Sequence, residues 1–579
     1  MFCKIIGGGN KVLIKKRSIL TLVLIFAMIL SMGVTFASKS PGSIHLVLSD
    51  ENVEGNNPLF ENKSSVFVSL SNFMPGTYDL VVKAPGSKGT ILGTEKIEIG
   101  ASGSLLFNLY ELIPFSDTDN EAGVYTVVVD GNKLKNFKLE TNVVDPEDPG
   151  DPEEPSEQEL KADSLIENMG FIPIANGDEL NRIRNEYPQG ELFGQGTKWE
   201  RQYITRGLLS NYVLVSDIDL SAFSNWIPIG DSTNRFSGVF DGNNYSIKNL
   251  KIDSLLDYVG LFGSTVGQLR DLNLVDPLVR GNNYVGALSG YHWVDTVQNI
   301  KVLKSPNSNP LIQGRNFVGG VIGFTRDNFM GRIINEADVV GEIYVGGIVG
   351  EYHMVNNIHM RELYLSNNKG NVTGVNGVGG IVGNNSRGLL SKVFNEGNIL
   401  GGNNVGGVAG RSTGDFYYGV DGISEAVNIG YVKGSDFVGG LVGRFIRDGI
   451  ADSYNTGVVE GINHVGGAIG GSEYDNTWDT INSSVMNRSY STGEIIGLLK
   501  DGLVGRPTEM TVNNSYYNSD LSNTSISGIG IPLTNEEMTN PVSFSDFDFS
   551  NKWVIVPGET YPYLKWHEEF YIPLKINLN

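Results

Sequence analysis

A short apolar motif returns at fixed intervals along the second half of the chain. It reads valine, two glycines, two aliphatic residues and a closing glycine, as in Val438 to Gly443. The closing residues of its copies are Gly263, Gly290, Gly323, Gly350, Gly383, Gly410, Gly443 and Gly470. The steps between them alternate between 27 and 33 residues. A fixed period in this range is typical of a solenoid, in which each period forms one coil.

Other positions are equally regular when they are counted back from the closing glycine. Position −9 is glycine, position −11 is valine or isoleucine, and position −15 is asparagine in five periods, from Asn335 to Asn455. Branched residues favour strands, so we expect like residues to stack about 4.8 Å apart as an aliphatic ladder and a hydrogen-bonded amide ladder. Glycine is expected at corners, where the backbone is left-handed or approaches another segment closely. A flexible linker is rejected, because linker glycines do not keep register with valines over eight copies.

The six extra residues of the alternate periods are predicted to follow the closing glycine, in surface loops. These long loops are predicted to carry candidate ligand-binding side chains: Tyr291, His292, Trp293, Tyr352, His353, Phe416, Tyr417, Tyr418, Tyr474 and Trp478. If the loops leave one corner, the rings form a comb that suits sugar rings or apolar peptide side chains. The alternative, which solubility favours, is that the rings fold down onto the flank of the solenoid.

The first part of the chain has a different pattern. Residues 1–37 predict a secretory signal peptide, because basic residues precede an apolar run and Thr35 to Ala37 offers a small-residue cleavage site. Cys3 is the only cysteine and precedes the apolar run, so the mature chain is expected to have no disulfide. Residues 38–144 show short strands separated by turn residues, and residues 145–159 form a Pro-rich acidic stretch that predicts an extended linker.

The segment from Glu121 to Tyr125 resembles the tyrosine corner of immunoglobulin-like sandwiches, so an Ig-like domain is expected over residues 38–144. Asp117, Asp119 and Glu121 have calcium-binding chemistry, but Ala122 lies where an EF-hand loop needs glycine. A solvated acidic loop is therefore the favoured interpretation.

The solenoid also needs covered ends, because a bare rung exposes unpaired backbone. Residues 160–257 are predicted to be an N-terminal cap and the first rungs, with a short helix between Asp178 and Asn185. The repeats occupy residues 258–505, and residues 506–579 are predicted to be a C-terminal cap.

Gly260 to Gly263 and Gly440 to Gly443 match the pattern Gly-Leu-hydrophobic-Gly, and the chain resembles GLUG-motif bacterial surface proteins over about residues 165–566. That family includes adhesin-like proteins and the non-catalytic parts of IgA-specific metallopeptidases. The flanks Ser216 to Leu220, Phe240 to Asn243 and Tyr561 to Trp566 also look like those of the family. The resemblance implies a right-handed parallel β-helix at the cell surface and no defined chemistry. The predicted fold class is thus all-β: an Ig-like β-sandwich followed by this β-helix.

Charge and motif content narrow the function classes. The net charge of −22, from 43 basic and 65 acidic side chains, argues against a nucleic-acid or anionic-membrane partner. A zincin needs two histidines one helical turn apart, whereas His353 and His359 are six residues apart and His567 has no second histidine beside it. We therefore expect no catalytic, metal or cofactor site, and no membrane insertion after signal cleavage.

A polysaccharide lyase or hydrolase is the enzymatic alternative, because β-helices host such enzymes and paired carboxylates can cleave glycans. Asp415, Asp421, Asp448 and Asp452 lie in neighbouring coils and supply candidate pairs. Acidic loop residues are more often solvated surface. The preferred interpretation is a secreted, non-enzymatic bacterial cell-surface protein for adhesion or surface spacing, with a host or cell-wall glycan or protein as its partner.

Overall fold

The computed structural model describes parts of residues 43–139, and residues 155–569 apart from 356–361, 415–421, 474–483, 523 and 525–527. The chain divides into two compact units, residues 1–153 and residues 154–579. The predicted signal peptide, the acidic run up to residue 154 and the calcium-candidate loop lie outside the described residues.

The first unit consists of two β-sheets in its described part. The strands of one sheet, in spatial order, are Glu51–Asn52, Ser43–Leu48, Phe67–Ser71 and Leu105–Asn108. Those of the other are Leu59–Phe60, Lys133–Leu139, Tyr125–Val129, Gly76–Lys83 and Ile91–Ile99. Neighbouring strands pair antiparallel, except that Leu59–Phe60 runs parallel to Lys133–Leu139.

Alternating apolar residues of both sheets form one shared core in this unit. Leu46 and Val68 from one sheet meet Leu80 and Val127 from the other, and all four are buried. Tyr125 is buried and stacks on Phe137 at 5.3 Å. The two sheets therefore pack face to face, while the immunoglobulin-like assignment stays a prediction.

The second unit is a parallel β-helix, as predicted. Its longest sheet, called sheet 1, contains the strands Ile172–Ile174, Tyr212–Leu214, Ile218–Asp219, Phe240–Asp241, Ser246–Lys248, Leu269–Val275, Val297–Leu303, Met330–Asn335, Glu362–Asn368, Leu389–Asn395, Ile423–Ser424, Val427–Asn428, Gly449–Ala451, Tyr454–Asn455, Ser484–Asn487, Tyr490–Ser491, Met510–Asn513, Tyr516–Asn518 and Ile531–Leu533. Neighbouring strands of sheet 1 run parallel, with each coil pairing to the next.

Three more parallel sheets complete the coils. Sheet 2 contains Lys251–Asp253, Leu278–Arg280, Leu311–Gln313, Asp338–Val340, Val372–Thr373, Ile399–Leu400, Val432–Lys433, Val459–Glu460 and Ile495–Ile496. Sheet 3 contains Asn283–Val285, Asn316–Gly319, Ile343–Gly346, Asn376–Gly379, Asn403–Gly406, Asp436–Gly439, Asn463–Gly466 and Lys500–Asp501. Sheet 4 contains Phe262–Thr265, Ser289–Trp293, Ile322–Arg326, Val349–His353, Val382–Ser386, Ala409–Thr413, Val442–Ile446, Ile469–Ser472 and Val504–Pro507.

Like residues stack on like inside the solenoid, which confirms the predicted ladders. The motif valines pair in register from Val285 to Val465, and these valines are fully buried. The side-chain N–H of each ladder asparagine from Asn335 to Asn428 donates to the side-chain Oδ1 of the next one, at 2.7–2.9 Å. Asn455 ends the amide ladder by donating to Ser491 at 3.3 Å. The buried amides thus satisfy one another along the axis.

The motif glycines are required by close approach and not by a left-handed backbone. A Cβ at Gly407 would lie 2.2 Å from the carbonyl oxygen of Gly440 and 2.3 Å from Cγ of Asn428. The same crowding recurs at Gly380 and Gly440. Left-handed backbone instead occurs at the residue before the motif valine, which is seldom glycine. Of the two reasons predicted for these glycines, a left-handed backbone or close approach to another segment, the structure shows close approach.

The ends of the solenoid carry the remaining elements. The first segments are an α-helix at Glu157–Asp163 that continues as a π-helix at Ser164–Asn168, an α-helix at Gly177–Arg182, a 3-10 helix at Gly207–Leu209, and an antiparallel pair, Tyr187–Phe193 with Arg201–Thr205. The last segments are α-helices at Ser519–Ser522 and Asn535–Met538, 3-10 helices at Pro541–Ser543 and Lys565–Glu569, and an antiparallel pair, Trp553–Val554 with Tyr563–Leu564. No helix in the described parts of the chain is long and apolar enough to cross a membrane.

The extra residues of the long coils do not all follow the closing glycine. Leu303 and Leu311 are eight residues apart, whereas their partners in the preceding coil, Val275 and Leu278, are three apart. The insertion of this coil therefore lies mainly between sheets 1 and 2. In addition, the strands of sheet 4 run two or three residues past the closing glycine, so the residues expected at the start of each loop belong to strands.

Candidate functional site

A column of stacked rings lies on the outside of the first repeats, at the residue before each motif valine. Tyr258 stacks on Tyr284 at 4.9 Å, and Tyr284 stacks on Phe317 at 4.8 Å with ring planes 3° apart. Tyr344 follows at 5.6 Å, tilted by 53°. We call these four residues the ring ladder. All four are half-buried, so each ring keeps part of its surface in solvent.

A second column runs beside the ring ladder on the outer face of sheet 4. Tyr291 stacks on Phe324 at 5.1 Å, and Phe324 faces His353 at 6.1 Å. The edges of the two columns meet, as between Tyr284 and Phe324 at 5.9 Å. Burial raises the pKa of Tyr284 and of Tyr291, so both phenols stay neutral at physiological pH. Together the columns form one surface, which we call the aromatic strip.

The backbone of the ring ladder is left-handed, which is uncommon for aromatic residues. The φ angles of its members are between 55° and 63°. Gly377 and Asn404 occupy the same position in two later coils, with φ of 68° and 55°. Phe437 and His464 follow, stacked at 4.7 Å. The fold therefore accepts a ring, an amide or no side chain at this position.

Polar groups border this column. The side-chain amide of Asn404 donates to Oδ1 of Asn376 in the preceding coil at 2.6 Å. One coil pair further, Nδ1 of His464 lies 2.6 Å from Oδ1 of Asp436. At these two positions the side chain before the motif valine therefore hydrogen-bonds to a side chain of the previous coil. An aromatic face with adjacent amide and carboxylate groups has the chemistry that sugar hydroxyls and ring faces need.

Arginines flank the start of the strip. The guanidinium of Arg235 lies over the rings of Tyr291 and Trp293, at 5.8 and 5.4 Å from their centroids. Arg326 covers Trp293 at 5.4 Å. Trp293 thus makes cation–π contacts with two guanidinium groups at the edge of the strip.

A cleft of about 1030 Å³ opens at the same end of the ring ladder. Tyr258, the first ring, is one of its lining residues, and so is Arg235. Three of the aliphatic side chains in its wall are unusually exposed: Ile227 at 69%, Leu255 at 90% and Leu256 at 72%. The cleft and the aromatic strip therefore form one continuous candidate site.

The structure divides the sequence-predicted ligand residues between two faces of sheet 4. Tyr291, Trp293 and His353 point outward and are half-buried, and Tyr291 and His353 belong to the strip. His292 and Tyr352 are fully buried, because side chains alternate along a strand. The expected loop position is wrong for these five residues. Binding by the outward-facing three stays a prediction.

The two inward-facing residues are held by internal hydrogen bonds. Nδ1 of His292 lies 2.6 Å from Oγ1 of Thr265, and Nε2 lies 2.9 Å from the carbonyl oxygen of Asp295. Burial lowers the pKa of His292 to about 4. The hydroxyl of Tyr352 donates to the carbonyl oxygen of Asn328 at 2.9 Å. The other predicted ligand residues, Phe416, Tyr417, Tyr418, Tyr474 and Trp478, lie outside the described residues.

The ring ladder was missed by the loop-based prediction, although the sequence contains its signal. The residue before each motif valine is aromatic or histidine in six of the eight repeats. Aligning that column by register, like the valine and asparagine columns, reveals the ladder. The role of Arg235 has no such signal, because this residue precedes the repeats.

The two described carboxylates among the catalytic candidates, Asp448 and Asp452, are both buried. Asp448 is buried and accepts a hydrogen bond from Ser412 at 2.5 Å. Asp452 is buried and pairs with Arg488 and Lys552, both at 2.8 Å. Asp415 and Asp421 lie outside the described residues. No group of three or more His, Cys, Asp or Glu side chains able to hold a metal ion occurs within the described ranges.

Known proteins offer only partial similarity, and no family model matches the chain. A segment of 113 residues is 35% identical to a "Putative Gly-rich membrane protein" of Evansella cellulosilytica, covering 18% of this chain and 13% of that protein. A segment of 95 residues is 40% identical to Halomucin of Haloquadratum walsbyi, covering 14% of this chain and 1% of that protein. The chain therefore spans a small part of the curated relatives it matches.

One solved structure is similar: a "putative immunoglobulin A1 protease" from Bacteroides ovatus. Its sequence identity is 17% and its TM-score is 0.31, over 68% of this chain and 92% of that one.

Proposed function

We propose that this protein is a non-enzymatic cell-surface β-helix that binds a linear glycan along the aromatic strip. The proposal rests on the half-exposed ring ladder, whose four side chains stack on successive coils. An extended ligand would contact several rings at once, and weak contacts then add through effective concentration.

Coils with and without a ring at this position show what the rings contribute. Gly377 and Asn404 hold the same left-handed backbone as Tyr284 and Phe317, inside coils that are otherwise alike. A coil with asparagine or glycine at this position still stacks in register. The rings are therefore not needed to build the coil, which favours a role in binding.

Rough energies lead to the same conclusion. A left-handed aromatic residue costs on the order of 1 kcal/mol. A stacked ring pair contributes about 0.5–1.5 kcal/mol. Strain and stacking nearly cancel, so stability alone gives little reason to keep four rings in a column. Strained residues at exposed positions are a common feature of ligand sites.

The relatives are compatible with a surface location. One is named "Putative Gly-rich membrane protein" and the other "Halomucin". The signal-like start of this chain fits secretion. The outward strip on a rigid solenoid then suits adhesion to glycans of a host or of a cell wall, and the same rigid rod serves surface spacing.

The proposed function is tested with the double substitution Tyr284→Asn and Phe317→Asn. Asparagine already occupies the equivalent left-handed position at Asn404, so the coil should tolerate it. Binding of the full chain to a panel of immobilised host and cell-wall glycans should fall at least tenfold, while the melting temperature changes by only a few degrees. Phe394→Leu, buried away from the strip, is the control for a stability loss without a change in the binding surface.

Two results would contradict the proposal. Unchanged glycan binding by the double variant would show that the rings are not the ligand surface. Unfolding of the double variant would show that the rings hold the coils together.

A further inference from the structure

The cleft beside Tyr258 gathers arginines that have no acidic partner. Arg184, Arg206 and Arg235 line it, and none forms an ion pair within the described part of the chain. Arg184 donates instead to the backbone carbonyls of Asn181 and Pro228 and lies 4.7 Å from the ring centroid of Trp226. Three unpaired guanidiniums in one cleft are unusual in a chain with a net charge of −22.

Two of the three acidic residues of the cleft are occupied by other donors, and the third, Glu186, is exposed and forms no ion pair with the arginines in the described part of the chain. Oδ1 of Asp231 accepts from the backbone N–H groups of Thr233 and Asn234, both at 2.7 Å. Oδ1 of Asp257 accepts from the side-chain amides of the adjacent pair 282–283, at 2.8 and 2.9 Å. These carboxylates stabilise turns and do not neutralise the arginines. The cleft therefore offers cationic donors to an incoming anion.

Arg235 is the arginine best prepared for such an anion. Its guanidinium is fixed against Tyr291 and Trp293, and its Nε–H is buried without a hydrogen-bond partner in the part of the chain that the structure describes. A fixed planar guanidinium loses little side-chain entropy when it binds a carboxylate with two parallel hydrogen bonds.

The apolar wall and the ring ladder define the rest of the ligand. Leu255 and Leu256 are exposed enough to cover C–H faces or a methyl substituent. Tyr258 lines the cleft and begins the ladder, so a chain that ends in the cleft continues over the rings. The acidic surface of the protein as a whole opposes a polyanion, which favours a ligand with one terminal carboxylate.

Resting on the proposed function, we propose that the cleft binds the terminal acidic sugar of a glycan whose neutral part lies on the ring ladder. The carboxylate pairs with Arg235, and the apolar substituents of that sugar lie against Leu255 and Leu256. This assignment names the end of the ligand that is recognised and its direction along the solenoid, with the acidic sugar at the N-terminal end of the strip.

The experiment compares an acid with its neutral ester on the intact chain. Calorimetric titration with sialyllactose, its methyl ester, and a glucuronate-terminated disaccharide with its ester should show at least one acid binding tenfold or more tightly than its ester. In Arg235→Gln the ratio of acid to ester affinity should fall towards one. Arg235→Lys, which keeps the charge without the planar fork, should give an intermediate ratio and confirms the effect if the glutamine variant folds poorly.

Arg332→Gln removes an exposed arginine of sheet 1 that does not line the cleft, and it should keep the full ratio. Equal affinity for acids and esters, with both lost in the Tyr284 and Phe317 double variant, would overturn the acidic-sugar assignment and leave glycan binding in place. Absence of binding to every saccharide would overturn both proposals. If a Glu- and Leu-containing peptide binds in an Arg235-dependent way while the saccharides do not, the occupant is a peptide and the assignment is wrong.

Discussion

The interior and exterior columns of the solenoid follow opposite rules. Inside, the valines from Val285 to Val465 and the asparagines from Asn335 to Asn455 repeat without change, because each must fit an identical neighbour about 4.8 Å away. Outside, the position before the motif valine holds rings, an amide or a glycine on one backbone conformation. A residue that is the same in every coil therefore indicates packing between coils. A position whose residue varies while its backbone conformation stays constant indicates a surface on which function can differ.

The largest effect is expected from Gly407→Val, which tests whether interior positions tolerate a different residue. The new Cβ would meet the carbonyl oxygen of Gly440 at 2.2 Å and the amide of Asn428 at 2.3 Å, so backbone and ladder must both move. We expect a loss of at least about 4 kcal/mol in the free energy of unfolding, measured by urea denaturation. Leu400→Val, a partly exposed change on sheet 2, is the control. An unchanged urea midpoint would show that the contact is not rigid.

A second test uses pH to probe the buried face of one sheet 4 strand. His292 points inward and its pKa is about 4, below the usual 6.5, because burial disfavours its charged form. A lowered histidine pKa contributes stability that is complete above about pH 6.5 and is lost as the pH falls towards 4. Between pH 7.5 and 4.5 we expect His292 to account for a loss of about 2 to 3 kcal/mol.

The measurement is urea denaturation at both pH values, on the natural chain and on His292→Gln. His567 is also buried with a pKa of about 4 and contributes to both proteins, so the difference between them isolates His292. Equal pH dependence in the two proteins would mean that His292 is reached by water.

The smallest effect is expected from adding a ring to the exterior. Asn404→Tyr would stack a new ring towards Phe437, on a backbone that already has φ of 55°. The strain of a left-handed ring and the lost hydrogen bond to Asn376 oppose the gained stacking, and the net change in the free energy of unfolding should be within about 1 kcal/mol. The melting temperature should therefore barely move, while affinity for a long glycan rises. A large stability change in either direction would show that the exterior column is not independent of the fold.

The sequence was sufficient for the architecture because the fold is built from register. The spacing of Gly323, Gly350 and their equivalents predicts parallel coils, and the spacing of Asn335 and Asn368 predicts the amide ladder. Both follow from contacts between identical residues of adjacent coils, so a single period contains the needed information.

The site was harder to predict because it depends on where a strand ends. The motif glycines looked like strand boundaries, yet the strand continues to Trp293 and to His353, and its alternation sends His292 and Tyr352 inward. A shift of one residue changes the face of every side chain. Arg235 reaches the strip from an irregular rung, and only tertiary contacts bring it to Tyr291.

The shared register of adjacent coils has a consequence for how the gene of such a protein changes length. Removing residues 351–410, two coils, would place Val345 beside Val438 and Asn335 beside Asn428, so every column would close on a residue of its own kind. Recombination between the similar segments can therefore add or delete 60 residues at a time within the repeats. Each such event would change the reach of the rod by about 10 Å and leave its cross-section as it was.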